Sequence, residues 1–170
     1  MNIHTQLQLM LVGALVLGLV LGFWYGRSRP HHDRSKGAAS VLVVGCIDPR
    51  YAADLAWHLN HDQELHADYD LITFAGASLG ILQSQYPGWQ SMFFDHVGLA
   101  LALHNITEVW CFDHMDCGMY KATLNLKTDE DHSLHVKKME QLKKLIAAKH
   151  PELKFKGFII EKDGSINPAV

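Results

Sequence analysis

Three side chains able to bind a soft divalent cation stand at two places in the chain. Cys46 ends the apolar run Val41-Leu42-Val43-Val44-Gly45, while His114 and Cys117 follow the run Val109-Trp110-Cys111-Phe112. Two thiolates and an imidazole suit zinc, and three protein ligands leave the fourth tetrahedral position open, as catalytic zinc sites do. Cys46 opens the pentapeptide Cys46-Ile47-Asp48-Pro49-Arg50, which adds a carboxylate and a guanidinium beside the first thiol. Arg50 is the only arginine from Gly37 onward, the other ten basic residues being lysines. Its planar fork suits holding Asp48 in one orientation. A zinc-bound water has its pKa drawn toward neutrality, which generates a nucleophile for an electrophilic carbon. Asp48 then has two roles open to it: orienting that water while Arg50 keeps it ionised, or rotating onto zinc as a fourth ligand that closes the site. The third cysteine, Cys111, falls at an inward position of its run and reads as a small core residue. Three cysteines give no complete disulfide framework, and thiolate ligation favours a reducing compartment.

Both ligand-bearing segments must be strand ends. Aliphatic and β-branched runs bounded by Gly45 and Pro49, or by the His114 to Gly118 loop, read as buried parallel strands, and in open α/β sheets chemistry collects where such strands stop. The rest of the folded part alternates accordingly. Tyr51 to His61 has helical spacing; Tyr69 to Phe74 reads as a short strand; Ala75 to Gly80 reads as a flexible loop. Trp89 to His104 is a long helix with apolar residues round so much of its circumference that it is expected to be buried on more than one side, against a core and a subunit partner. Thr128 to Asp131 looks like a helix start, with Lys137, Lys138, Lys143, Lys144 and Lys149 toward the other end as the macrodipole prefers. Phe155 to Glu161 reads as the last strand, with a turn at Asp163-Gly164. The fold class expected is α/β, a mostly parallel sheet flanked by helices and preceded by one transmembrane helix.

That helix is expected within residues 1–26, which carry no charged side chain. Leu9 to Tyr25 is an unbroken apolar run of 17 residues, reaching roughly 26 Å as a helix, enough for a thin bilayer. Residues 7–25 are therefore assigned to lipid. Arg27 and Arg29 follow the aromatic cluster Phe23-Trp24-Tyr25, so the N-terminus is expected outside and the remaining domain on the cytoplasmic face. A cleaved signal peptide, cut near Gly37-Ala38-Ala39, is the competing reading, disfavoured by the missing basic n-region. Ala14, Gly18, Gly22 and Gly26 place small residues on one helix face, a pattern that permits close association in lipid. Residues 27–40 form a basic polar linker that includes His31 and His32, and 41–170 form the zinc domain. From Gly37 onward 11 Lys+Arg face 17 Asp+Glu, a local charge of −6 that argues against a nucleic-acid partner.

Cys-x-Asp-x-Arg followed by His-x-x-Cys-Gly resembles the β-class carbonic anhydrase family, over about Val41 to Ile166. His114-Met115-Asp116-Cys117-Gly118-Met119 is especially similar to the small archaeal-type branch. The resemblance implies a zinc enzyme interconverting CO2 and bicarbonate, with Cys46, His114 and Cys117 as ligands and Asp48 with Arg50 as the catalytic dyad. It also implies a homodimer or higher homo-oligomer with sites near the subunit boundary. Some relatives hydrolyse carbon disulfide or carbonyl sulfide, and a non-catalytic, zinc-stabilised subunit of a membrane assembly is a further alternative. The chain departs from the family at Pro49, where Ser is common, at Phe74, where Asn is usual, and at Asp113, where Gly usually precedes the His. Of the twelve histidines, the pairs His58 with His61 and His132 with His135 are expected to be exposed on helices, and His96 and His104 to be satisfied locally.

Overall fold

The computed structural model describes residues 37–66, 68–125 and 132–170. The expected membrane anchor, most of the linker and the helix start at Thr128 lie outside them. Among the described residues no helix is long and apolar enough to cross a membrane.

Five strands form one sheet in the order β2-β1-β3-β4-β5: β1 Val41–Cys46, β2 Tyr69–Phe74, β3 Glu108–His114, β4 Lys154–Ile160 and β5 Ile166–Pro168. β1 pairs in parallel with β2 and β3, β3 pairs in parallel with β4, and only β5 runs antiparallel. The central strands are apolar nearly throughout because both their faces are covered: Val41 to Gly45 and Val109 to His114 are all buried. Leu42, Val44, Val109 and Cys111 point to one face, where they meet Phe93, Val97 and Ala100 of the helix Pro87–His104 and Met139, Leu142 and Ile146 of the helix His132–Lys149. Val41, Val43, Trp110 and Phe112 point to the other, against Tyr51, Leu55 and Leu59. Cys111 is fully buried on the first of these faces, the small core residue its run suggests.

The chain builds β2 on one side of β1 and then returns to build β3 on the other. The carboxyl ends of β1 and β3 are therefore neighbours at the point where strand order reverses, the crevice in which open α/β sheets place their sites. Cys46 and His114 are the last residues of those two strands.

Several local expectations need correction. Ala75 to Gly80 is not a flexible loop: Ala77–Ile81 is a short helix whose five residues are all buried. Small side chains that look like loop composition serve here to let the backbone approach Asp113. His58 and His135 are buried rather than exposed, because the helical faces carrying them turn inward; His58 lies edge-on to Phe112 and Phe158. The helix after Arg50 is broken into a 3-10 turn at Pro49–Tyr51, an α-helix at Ala52–Trp57 and a π turn at His58–Asp62. Beyond the expected turn at Gly164 the chain adds β5, and Ala169 N–H donates to the Gly157 carbonyl of β4 at 2.8 Å. The long helix starts at Pro87, a residue whose missing N–H costs nothing in a first turn. Its expected exposure pattern holds in part: Phe93, Phe94, Val97 and Ala100 are buried, whereas Leu99 and Leu103 are 55% and 67% exposed beside Leu71 of the edge strand β2.

Candidate metal centre

The structure brings Cys46, His114 and Cys117 together, one ligand atom from each lying within 4.8 Å of the other two. A tetrahedral zinc with sulfur at about 2.3 Å and nitrogen at about 2.0 Å would hold its donors roughly 3.5–3.8 Å apart. The cluster is thus close to the size one ion requires. The imidazole is presented for such a role. Its Nδ1 lies 2.8 Å from the Met115 carbonyl, so the proton sits there, and Nε2 is buried with no nitrogen or oxygen partner among the described residues. A second nitrogen tied to a carbonyl is the arrangement that fixes the tautomer of a metal-binding histidine. Tyr51 packs its ring 4.5 Å from the His114 ring and donates to the same carbonyl at 3.4 Å.

The sulfurs are equally placed by their surroundings. A hydrogen bond from Cys117 draws the Cys46 thiol down to about 4 against the opposing effect of burial, with further help from His114 and the Gly76 and Asp48 backbone. The same contact pushes Cys117 upward. One proton shared between two sulfurs is what a divalent cation displaces on binding. Gly76 is required at its position: its φ is 78° and an added Cβ would meet Met119 Cγ at 2.8 Å. Only a glycine lets that backbone N–H reach Cys46 Sγ at 3.3 Å. Burial would lower the His114 pKa, but the Cys46 sulfur, the Met115 carbonyl and Asp48 together raise it.

The turn that carries Cys117 back beside His114 is made by Asp116, at φ 62°. Gly118, the residue expected to relieve it, opens the helix Gly118–Leu124 and has no atom within 4 Å of an added Cβ.

Asp48 and Arg50 form the pair the sequence suggests. Asp48 caps the 3-10 turn, its Oδ1 accepting from Arg50 N–H at 3.1 Å, and Pro49 occupies a first-turn position that needs no donor. Arg50 donates from Nε to Oδ1 at 3.0 Å and from Nη2 to Oδ2 at 2.7 Å. Those hydrogen bonds hold the Asp48 carboxyl at about 2, well below its ordinary range. Asp48 Oδ2 stands 3.9 Å from His114 Nε2 and 2.7 Å from Arg50 Nη2.

Two functional neighbours escaped the sequence reading. Arg50 also donates from Nη1 to Asp116 Oδ2 at 3.0 Å, and Lys121 contacts the same carboxylate. The signal was available: Asp48 cannot use all five guanidinium donors, so a lone arginine invites a second carboxylate. The other is Asp113, 1% exposed, which gathers donors from Ser78, Tyr120 and His135. Phe74, in contrast, has left the site for the core, packing against Trp89 and Phe93.

Residues 37–170 match the family model described as "Putative carbonic anhydrase", and the chain belongs to that family. A protein of Rickettsia bellii (strain RML369-C) is 31% identical over 139 residues, spanning 79% of this chain and 84% of its own. One from Rickettsia conorii (strain ATCC VR-613 / Malish 7) is 29% identical over 139 residues, spanning 79% and 74%. Both are described only as uncharacterized. Among solved structures, a tetrameric β-carbonic anhydrase of Sordaria macrospora aligns at a TM-score of 0.52 with 12% identity, covering 94% of this chain and 96% of that one. The β-carbonic anhydrase CafD of Aspergillus fumigatus aligns at 0.51 with 15% identity, covering 85% and 92%. The fold is that of the β-carbonic anhydrases.

Proposed function

We propose that this protein is a zinc enzyme that interconverts CO2 and bicarbonate. The observation that carries the reading is the convergence of two sulfurs and a buried imidazole nitrogen at a sheet switch point, beside an arginine-clamped carboxylate. Cys46 Sγ, His114 Nε2 and Cys117 Sγ would hold the ion. Zinc bound there supplies Lewis acidity and lowers the pKa of a coordinated water. The chain's own residues do the rest. Met115 and Tyr51 fix the imidazole plane. The paired hydrogen bonds from Arg50 draw the Asp48 carboxyl well below its ordinary range and favour its ionised form. Asp48 therefore orients a water or bicarbonate hydroxyl by accepting its hydrogen bond, and the proton released by hydration leaves through solvent.

The test is rapid-mixing CO2 hydration by the zinc-loaded chain, with wild type and Asp48→Asn compared at equal zinc content. Wild type is expected to turn over, and the variant to lose roughly 10–100-fold without losing metal. Zinc-replete wild type that hydrates no CO2 but consumes carbonyl sulfide or carbon disulfide reassigns the substrate. Inactivity toward all three returns the chain to a zinc-stabilised subunit.

We further assign 1–26 as a membrane anchor with the domain on the cytoplasmic side, supported by the uncharged apolar run and the arginines after it. Alkaline extraction should leave the full chain, but not one starting at Gly37, with the membrane. Homo-oligomerisation, with the likeness to the archaeal-type branch, completes the proposal. Exposed Leu71, Leu99 and Leu103 supply the apolar face it needs. Paired Leu99→Glu and Leu103→Glu changes should shift the sedimenting species to a monomer.

A further inference from the structure

The buried group that this chemistry leaves unused is Asp113, whose side chain is shut off from solvent. Its Oδ1 accepts from Ser78 N–H at 3.0 Å. Its Oδ2 accepts from Ser78 Oγ at 2.7 Å, from Tyr120 OH at 2.6 Å and from His135 Nδ1 at 3.2 Å. A carboxylate without water needs donors in this number, since an unsatisfied one inside a protein is costly. Nearly every donor arrives on a segment that also carries or contacts a metal-binding atom. Ser78 stands two residues beyond Gly76, whose N–H meets the Cys46 sulfur. Tyr120 belongs to the helix that Cys117 caps. Asp113 itself is joined directly to His114 at the end of β3, and His135 adds the long C-terminal helix.

From this geometry we propose that Asp113 is a positioning residue for the metal centre. It sets Cys46, His114 and Cys117 relative to one another before an ion arrives, so the donors close on the ion with little rearrangement. The inference rests on the zinc reading above and adds the residue that preorganises it. It also gives a physical meaning to the carboxylate that this chain carries immediately before the histidine. An asparagine has the same shape but only one acceptor oxygen. Whichever way its amide is turned, either the Ser78 N–H or the three donors on Oδ2 meet an NH2 group.

The experiment uses the full chain as wild type, Asp113→Asn and Tyr120→Phe. Zinc affinity is measured by competition with a chromophoric chelator, the visible ligand-field bands are recorded with cobalt in place of zinc, and folding is followed by circular dichroism. Asp113→Asn should weaken zinc binding roughly 10–100-fold and shift the cobalt bands of the folded protein; Tyr120→Phe, which removes one donor, should do the same to a smaller degree. A purely structural role would lower the melting temperature and leave those bands in place. Zinc affinity and cobalt bands within twofold of wild type in the folded variants overturn the proposal. Should Asp113→Asn not fold, Tyr120→Phe decides by the same criterion. A wild-type chain that binds neither metal overturns the zinc reading and this inference with it, an outcome distinct from equal binding by all three proteins.

Discussion

Asp113 and Asp116 flank the same histidine, and they live in opposite environments. Asp113 is sealed off and answered by a backbone amide, two hydroxyls and an imidazole. Asp116 has a side chain 27% exposed and is answered by two full cations, Arg50 and Lys121. The inner carboxylate fixes segments to one another, because its donors have no water to turn to when it is removed. The outer one shapes the charge at the mouth of the site, where solvent screens each contact and replaces any that is lost. Two acids three residues apart thus divide the work of the site: one holds its shape, the other steadies the guanidinium that holds Asp48.

The comparison is broken most completely by removing a ligand of the centre that the two acids serve. Cys117→Ala should weaken zinc by a factor on the order of 10²–10³, read by metal content after dialysis against a chelator, and both acids then flank a site with no function left to support. Next in size is a contrast in stability. Asp113→Leu leaves four buried donors unanswered at about 1–3 kcal/mol each, so its melting temperature should fall by more than roughly 10 °C. Asp116→Asn, which keeps a residue that tolerates the left-handed turn, should melt within about 2 °C of wild type, as a surface change does. If the two variants melt alike, the division between an inner and an outer acid is wrong. In activity the order reverses in kind: Asp116→Asn should retain full zinc affinity and lose only a few-fold in turnover, through a looser Arg50, which steady-state hydration at saturating zinc would show.

The smallest effect is a titration. Asp48 is depressed from 3.8 to about 2 by Arg50, so its favourable contribution is fully present above 3.8 and is lost as pH falls toward 2. Carbon-13 NMR of the carboxyl groups in metal-free protein should find Asp48 titrating near 2, and Arg50→Met should return it toward 3.8. Titration near 3.8 in wild type would mean that the guanidinium does not hold the carboxylate in solution.

How much of this was legible beforehand follows the distance over which each feature is encoded. The two ligand-bearing strand ends could be read because aliphatic runs and their stops are local, and a lone arginine two residues from a carboxylate announces its own partner. The Ser78 donors lie 35 residues from Asp113, and Arg50 lies 66 from Asp116. Nothing in the composition of Ala75 to Gly80 distinguishes a mobile loop from a buried helix of small residues packed under a strand. His58 and His135 looked like surface residues for the same reason, since helical spacing gives a face but not the direction in which it turns.

The sequence by itself determined the donor types, the parallel strands that end on them, and the Asp48 and Arg50 pair, all of which are properties of short stretches. Only the tertiary structure decided that Asp113 would be shut away with four nitrogen and oxygen donors while Asp116 stayed wet, and that Gly76 would bring a backbone amide to the Cys46 sulfur. The reason is that burial and hydrogen-bond satisfaction belong to the crossing of distant segments: they exist only once β1, β3 and the helices around them have been packed together.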